Sequence, residues 1–226
     1  MKSYSKTLVI FDFCETLINF QTADRFIDFI IKNESYKKHK WVANLDSFLR
    51  KSKLLSLFNK FNKDYNLSKR LKLAQLKGIS KEIVDRNALD YYESIIIKNP
   101  IREVYDKLKF HQENNDVIII ISGGYLPYVK VFSEKNNIDF YYATEFEYKD
   151  GLVTGNFSGK DCMNIQKIAV LEKCIKENNI DFNYSISYSD SITDLPLLKW
   201  TNEGYVISKD KTQNWSKENS LFEIII

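Results

Sequence analysis

The chain has 226 residues, 44% hydrophobic and 28% charged, a composition that suits a folded protein with a sizeable core and excludes a disordered one. Its 33 Lys and Arg against 30 Asp and Glu leave a formal charge of +3, too close to balance to mark a nucleic-acid binder. The three cysteines, Cys14, Cys162 and Cys174, are odd in number and lack metal-site spacing, which points to a reducing, cytoplasmic compartment.

The first apolar run, residues 7–11, stops at Asp12. It is too short for the apolar region of a signal peptide, and the isoleucine runs at 118–121 and 224–226 are too short to span a bilayer, so a soluble protein is expected. Short, β-branched and unbroken, residues 7–11 read as a strand buried on both faces. Asp12 then lies at its carboxyl end, where open α/β sheets place their chemistry, and Thr16 follows four positions on. From Phe20 the period changes to that of helices. Phe20, Ala23, Phe26, Ile27, Ile30 and Ile31 form one apolar stripe, with Thr22 as an expected N-cap. A second stripe runs from Trp41 through Phe58, a third from about Ser68 to Gly78, and a fourth from Ser80 to about Ile95 before Pro100 breaks the pattern. Residues 20–98 therefore read as an all-helical insert.

After Pro100 helices and strands alternate. A helix with Val104, Leu108 and Phe110 leads to a buried strand at 117–121 that ends in Ser122-Gly123-Gly124. A helix at 126–135 follows. Strands at 140–146 and 152–157 flank Asp150-Gly151, a strong hairpin signal. A helix at about 163–177, a strand at 184–188, the sequence Ser189-Asp190-Ser191, a short helix through Leu198 and a last clear strand at 205–208 complete the chain. Such alternation implies a mainly parallel sheet with helices on both faces. The charge is divided the same way: residues 20–98 hold 17 Lys and Arg against 9 Asp and Glu, and the remainder 16 against 21. A basic insert over an acidic core suits a core that holds a cation and a substrate that is an anion.

Three strand ends carry polar groups fit for one task. The first gives Asp12, Cys14 and Thr16; the second gives Ser122 and two glycines that let backbone approach a phosphate; the third gives Asp190 and Asp194. Two carboxylates from separate strand ends suit a hard cation with oxygen ligands such as Mg²⁺. A hydroxyl, glycine amides and a lysine suit the oxygens of a phosphoryl group, and a carboxylate attacking phosphorus forms an aspartyl-phosphate.

These residues, in this order, resemble the motifs of the haloacid dehalogenase-like hydrolases, in the branch that contains phosphoserine phosphatase. Asp12-Phe13-Cys14-Glu15-Thr16 matches the first motif, Ser122-Gly123-Gly124 the second, Lys167 the third with Lys160 as the competing lysine, and Asp190 with Asp194 the fourth. The resemblance covers nearly the whole chain. It implies a Rossmann-like core, residues 1–19 and 99–226, with a helical cap at 20–98. Asp12 becomes the nucleophile and a Mg²⁺ ligand, together with Asp190 and the backbone carbonyl of Cys14. Thr16, Ser122, Gly123 and Lys167 hold the phosphoryl group, and Asp194 orients the site. The cap residues Gln21, Arg25, Trp41 and Arg50 are candidates for facing the substrate.

Cys14 departs from the pattern. The family's phosphatases carry there a second Asp, which protonates the leaving group and later activates water. A thiol, with an ordinary pKa of about 8.5, is a poor substitute, and a metal beside it would favour a thiolate that is useless as an acid. Three readings follow: a phosphatase whose leaving group needs little help or which uses Glu15 or water, a phosphotransferase, or a protein that binds a phosphorylated ligand without turnover. The first is preferred, as a Mg²⁺-dependent hydrolase of a small phosphorylated metabolite of the sugar, polyol or amino-alcohol phosphate type, including those of surface-polysaccharide metabolism. The uncharged Gln21, where phosphoserine phosphatase has an acidic residue, argues against phosphoserine itself. No nucleic-acid or membrane partner is expected, and the oligomeric state is left open.

Overall fold

The computed structural model describes residues 6–35 and 66–226. The second expected helical stretch, with Trp41 and Arg50, lies outside them. Six parallel strands form one sheet: β1 (Thr7–Phe11), β2 (Val117–Tyr125), β3 (Phe140–Thr144), β6 (Tyr184–Ser189), β7 (Glu203–Ser208) and β8 (Phe222–Ile225), in the order β3-β2-β1-β6-β7-β8. A separate antiparallel pair, β4 (Phe146–Lys149) and β5 (Leu152–Phe157), projects from it. The helices among the described residues are α1 (Thr22–Asn33), α2 (Leu67–Ala74), α3 (Lys81–Ser94), α4 (Arg102–Glu113), α5 (Leu126–Lys135), α6 (Gln166–Glu177), α7 (Leu195–Trp200) and α8 (Asn214–Glu218). The architecture is the expected Rossmann-like parallel sheet, and no helix of the described residues is long and apolar enough to cross a membrane.

The unbroken apolar runs are explained by burial on both faces. Alternate residues of a strand point to opposite faces. Val9, Phe11, Ile118 and Ile120 join the cluster that includes Val104 and Leu108 of α4 and Val129 and Phe132 of α5. Leu8, Ile10, Ile119 and Ile121 join the other, with Leu171 and Cys174 of α6 and Leu197 of α7. Each fully buried Leu or Ile contributes about 1.5–3 kcal/mol. On the first face an aromatic row crosses four strands at one register. Phe11 stacks on Tyr188 with ring centres 4.6 Å apart, Tyr188 on Tyr205 at 5.1 Å and Tyr205 on Phe222 at 5.1 Å. Tyr188 also hydrogen-bonds the buried His111 Nε2 at 3.0 Å, whose Nδ1 meets Asp116 at 2.8 Å. This row fixes the register one residue before Asp12.

Several expectations are corrected. The sequence at 140–146 is two strands rather than one: β3 joins the main sheet beside β2, and β4 begins the hairpin. The hairpin does turn at Asp150-Gly151, both with positive φ (52° and 76°), as a two-residue turn matched to strand twist requires. β2 does not end at Ser122 but continues to Tyr125 through a register shift. A further strand, β8, follows β7. The N-cap of α1 is Gln21, without a side-chain bond, because the Thr22 hydroxyl is engaged elsewhere.

The described part of residues 20–98 is helical, yet it shares one continuous apolar cluster with the sheet. Phe26 of α1 and Tyr91 of α3 pack on Tyr128 of α5, with ring centres 5.0 and 5.6 Å away. Residues 78–81 add to the hairpin edge: Gly78 N donates to Val153 O, and Val153 N donates to Ile79 O, both at 2.8 Å.

Candidate active site

In the strand order, β1 lies between β2 and β6, and the connections from β1 run in opposite directions along the sheet. That switch point opens a crevice at the carboxyl ends of the strands. A cleft of about 310 Å³ lies there, and Asp12, Cys14, Gly123, Lys167, Asp190 and Asp194 all line it. Residues far apart in sequence meet here because parallel strands put all their carboxyl ends at one edge.

Asp12 is 5% exposed. Its Oδ1 accepts a hydrogen bond from Lys167 Nζ at 2.6 Å and its Oδ2 one from Thr16 Oγ1 at 3.2 Å. After β1 the chain turns through Glu15 (φ 54°), and Leu17 N donates to Phe13 O; this turn aims Thr16 back at Asp12. Thr16 is fully buried. Its hydroxyl also lies 3.3 Å from Asp190 Oδ1, and it accepts from Asp190 N at 3.1 Å, so one side chain joins the two carboxylates.

Lys167 enters from the first turn of α6 and bridges Asp12 and Asp194, 2.6 Å from each. Burial works against its charge, yet the flanking Asp12 and Asp194 hold its pKa above the usual lysine range. Burial pushes the Asp12 carboxyl upward against the opposing pull of Lys167. Asp194 also accepts from Ser189 Oγ at 2.6 Å. Lys160 is exposed and lines a different cavity with Arg70 and Asp161. The lysine brought to Asp12 is therefore Lys167.

Lys167 is flanked by Asp12 and Asp194, and a third carboxylate, Asp190, is joined to Asp12 through Thr16. Asp190 has no Lys or Arg within ion-pair distance among the described residues, and burial, then the neighbouring Asp12, Glu15 and Asp194, raise its pKa to about 7. A site with surplus carboxylate oxygen and one raised carboxyl fits a hard divalent cation. Among the described residues no cluster of three acidic, His or Cys side chains forms a full cage. Asp12 and Asp190 could supply two carboxylate donors, to be supplemented by a backbone carbonyl and water, as Mg²⁺ commonly accepts.

Its surroundings hold Cys14 toward the thiol form. Burial, and then the charge of Asp12, push its pKa up to about 11 against hydrogen bonds from Thr22 and Ser122. Its Sγ lies 2.8 Å from Thr22 Oγ1, which lies 2.7 Å from the hydroxyl of Tyr128. Glu15 is one alternative proton carrier, beside water. Its carboxylate is held by Lys209 at 2.6 Å and Gln21 at 2.5 Å, it does not line the cleft, and the hydrogen bonds from Lys209 and Gln21 outweigh burial and hold its pKa below the usual range. Gln21 lines the cleft, but its amide is engaged with Glu15. Arg25 does not line it; its guanidinium sits 4.2 Å over the ring of Phe20.

Ser122 is fully buried, and its Oγ accepts from Gly124 N at 2.8 Å. Both glycines are closely approached by side chains. A Cβ at Gly124 would lie 2.5 Å from the Tyr128 hydroxyl, and one at Gly123 would lie 2.8 Å from Met163 Cγ. The residue missed from sequence is Lys69 of α2, which lines the cleft and is 7% exposed. It is one basic residue among 17 in its segment, and nothing local distinguishes it. Asp24, Asn66 and Ser68 also line the cleft.

The model of the haloacid dehalogenase-like hydrolase family matches residues 9–199, a span that holds every motif described above. The chain belongs to this family. Among its relatives, phosphoserine phosphatase of Methanocaldococcus jannaschii is 26% identical over 194 residues, 86% of this chain and 82% of that protein. A histidinol-phosphatase of Neisseria meningitidis serogroup C is 26% identical over 215 residues, 91% of each. In fold, a protein of unknown function from Bordetella pertussis Tohama I superposes with a TM-score of 0.79 at 17% identity, covering 97% of this chain and 98% of that one. A substrate-bound phosphoserine phosphatase superposes with a TM-score of 0.65 at 22% identity, covering 98% and 94%. This hydrolase stands in the phosphoserine phosphatase-like branch of its family.

Proposed function

We propose that this hydrolase is a Mg²⁺-dependent phosphatase that cleaves a small phosphate monoester through an aspartyl-phosphate on Asp12. The observation that carries the reading is the buried ammonium of Lys167, 2.6 Å from both Asp12 and Asp194, with Asp190 joined to Asp12 through Thr16. Relatives named phosphoserine phosphatase and histidinol-phosphatase support a small phosphorylated metabolite as the substrate, of the sugar, polyol or amino-alcohol phosphate type.

In this reading an Asp12 carboxylate oxygen attacks phosphorus, the bond to the leaving alcohol breaks, and water then hydrolyses the acyl phosphate. Lys167, the Thr16 and Ser122 hydroxyls and the Gly123 amide hold the phosphoryl oxygens, and Asp194 keeps Lys167 charged and in place. Asp12, Asp190 and the Cys14 carbonyl would hold Mg²⁺, which when bound offsets phosphoryl charge. Residues 20–98 act as a cap over a core of residues 1–19 and 99–226, with Gln21 beside the alcohol part of the substrate and Arg25 away from it.

Cys14 favours a second reading. A neutral, buried thiol is a weak acid and no base, so proton transfer to the alcohol and from the water loses its usual carrier. Slow turnover, phosphoryl transfer to another acceptor, or binding alone are its consequences. A panel of sugar, polyol and amino-alcohol phosphates, assayed with and without Mg²⁺, tests both. Mg²⁺-dependent phosphate release from at least one compound is expected. Saturable binding of a phosphorylated ligand with no release across the panel overturns the phosphatase in favour of the binding protein.

A further inference from the structure

Lys69 belongs to α2, in the helical segment, but its ammonium is buried in the sheet. Nζ donates to Gly123 O at 2.6 Å, to Thr144 Oγ1 at 2.8 Å and to Asp161. These partners come from the ends of β2 and β3 and from the connection before α6. The rings of Tyr125 and Phe157 each lie 5.1 Å from the charge. Thr144 Oγ1 is 2.5 Å from Asp161 Oδ1 and accepts from Cys162 N at 3.2 Å. The other oxygen of Asp161 is buried with no hydrogen-bond partner, so Lys69 carries most of the compensation for that carboxylate.

The contact with Gly123 has a consequence beyond tying two segments together. The shift in β2–β3 pairing falls between Ser122 and Tyr125, which leaves the Gly123–Gly124 peptide outside the regular ladder. Its carbonyl is held by Lys69, and its N–H, on Gly124, is held by Ser122 Oγ at 2.8 Å. The Ser122 hydroxyl that accepts from Gly124 turns its own proton toward the Cys14 sulfur, and a phosphoryl oxygen would take that proton in place of the sulfur. One peptide plane thus links the Lys69 ammonium to the Ser122 hydroxyl. Without Lys69 the Gly123 carbonyl loses its donor and the plane is free to rotate.

We propose that Lys69 is a positioning residue that sets the Gly123–Gly124 peptide, and through it the Ser122 hydroxyl, for binding phosphoryl oxygens. The inference rests on the phosphatase reading for the role of Ser122. It explains why a lysine, costly to bury, occupies a site where an apolar pair would join the segments as well.

The discriminating experiment compares the full-length, Mg²⁺-saturated protein with Lys69→Met, Lys69→Met/Asp161→Leu and Thr144→Val. The measurements are calorimetric affinity for inorganic phosphate, kcat and KM on the best monoester, and melting temperature. The double variant removes one charge of each sign, so the local field changes little and the pair becomes an apolar contact. Its melting temperature should stay near that of the wild type, while phosphate affinity falls about 10-fold and kcat about 100-fold, the scale for losing a preorganised donor. Thr144→Val touches the pair but not Gly123, and it should lower the melting temperature while sparing phosphate affinity. A double variant with wild-type phosphate affinity and kcat overturns the inference and leaves the phosphatase reading standing. So does a Thr144→Val variant that loses phosphate affinity as strongly as Lys69→Met. A wild type that binds no phosphate in the presence of Mg²⁺ overturns both.

Discussion

At the scale of single residues, the site depends on one buried charge. Lys167 is 3% exposed between Asp12 and Asp194, themselves 5% and 3% exposed. Removing one member of such a cluster leaves its partners buried and uncompensated, at a cost of about 3–5 kcal/mol. Lys167→Met should lower stability by that amount in urea unfolding without metal. Asp12→Asn keeps the shape of the side chain, so it should preserve the fold while reducing phosphate release at least about 1,000-fold; an active variant would remove Asp12 as nucleophile. Cys14 sets the other test. General acid–base catalysis is worth about 10²–10⁴-fold, so Cys14→Asp should raise turnover most on substrates with poor leaving groups. A fall in turnover would mean that the thiol, with its Thr22 and Tyr128 partners, is adapted to its own chemistry. All three cysteines are buried, and burial raises the pKa of each. Cys162 and Cys174, which lie away from the cleft, should not react with iodoacetamide at pH 8 until the protein unfolds.

At the scale of elements, two glycines illustrate different demands. Gly151 has φ +76° with open space around it; it is chosen for its backbone conformation alone. Gly151→Ala should cost about 1 kcal/mol and leave activity unchanged. Gly124 is chosen for space. A Cβ there would meet the Tyr128 hydroxyl, which links Tyr125 N to Thr22 and so to Cys14. Gly124→Ala should therefore cost about 1–3 kcal/mol by overpacking and weaken phosphate binding as well. The β-hairpin was legible because Asp-Gly between apolar runs has one good conformation. The β3–β4 division was not, because a strand that changes partners keeps the same alternation of residues.

At the scale of the whole molecule, the raised carboxyl of Asp190 ties stability to pH, and on the proposed Mg²⁺ site to metal as well. The raised pKa of Asp190, about 7, means that the folded protein takes up a proton there more readily than the unfolded chain. The stability linked to this group is full below the ordinary carboxylate range near 4 and is lost as pH rises through about 7. Melting temperatures in EDTA should fall across that window. Added Mg²⁺ should recover them, with a larger rise at pH 8 than at pH 5.5, and Asp190→Asn should remove most of that slope. An equal rise at both pH values would dissociate Asp190 from metal binding.

Sequence alone determined the parallel α/β architecture, because strands buried on both faces must be apolar without interruption. It also singled out Asp12, Thr16, Ser122, Asp190 and Asp194 as polar groups that break or follow apolar strand runs, although β2 continues past Ser122. Tertiary structure decided what depends on distance. It chose Lys167 over Lys160, since both are lysines near the same helix and only one reaches Asp12. It buried Cys14 beside Asp12 and Thr22, which raises the thiol's pKa, and tied Glu15 to Lys209 and Gln21, since burial and partners set proton affinity. It turned Lys69, one basic residue among many in its segment, into a buried contact of the Ser122-Gly123-Gly124 loop, because the helix carrying it packs against strand ends more than fifty residues away in the chain.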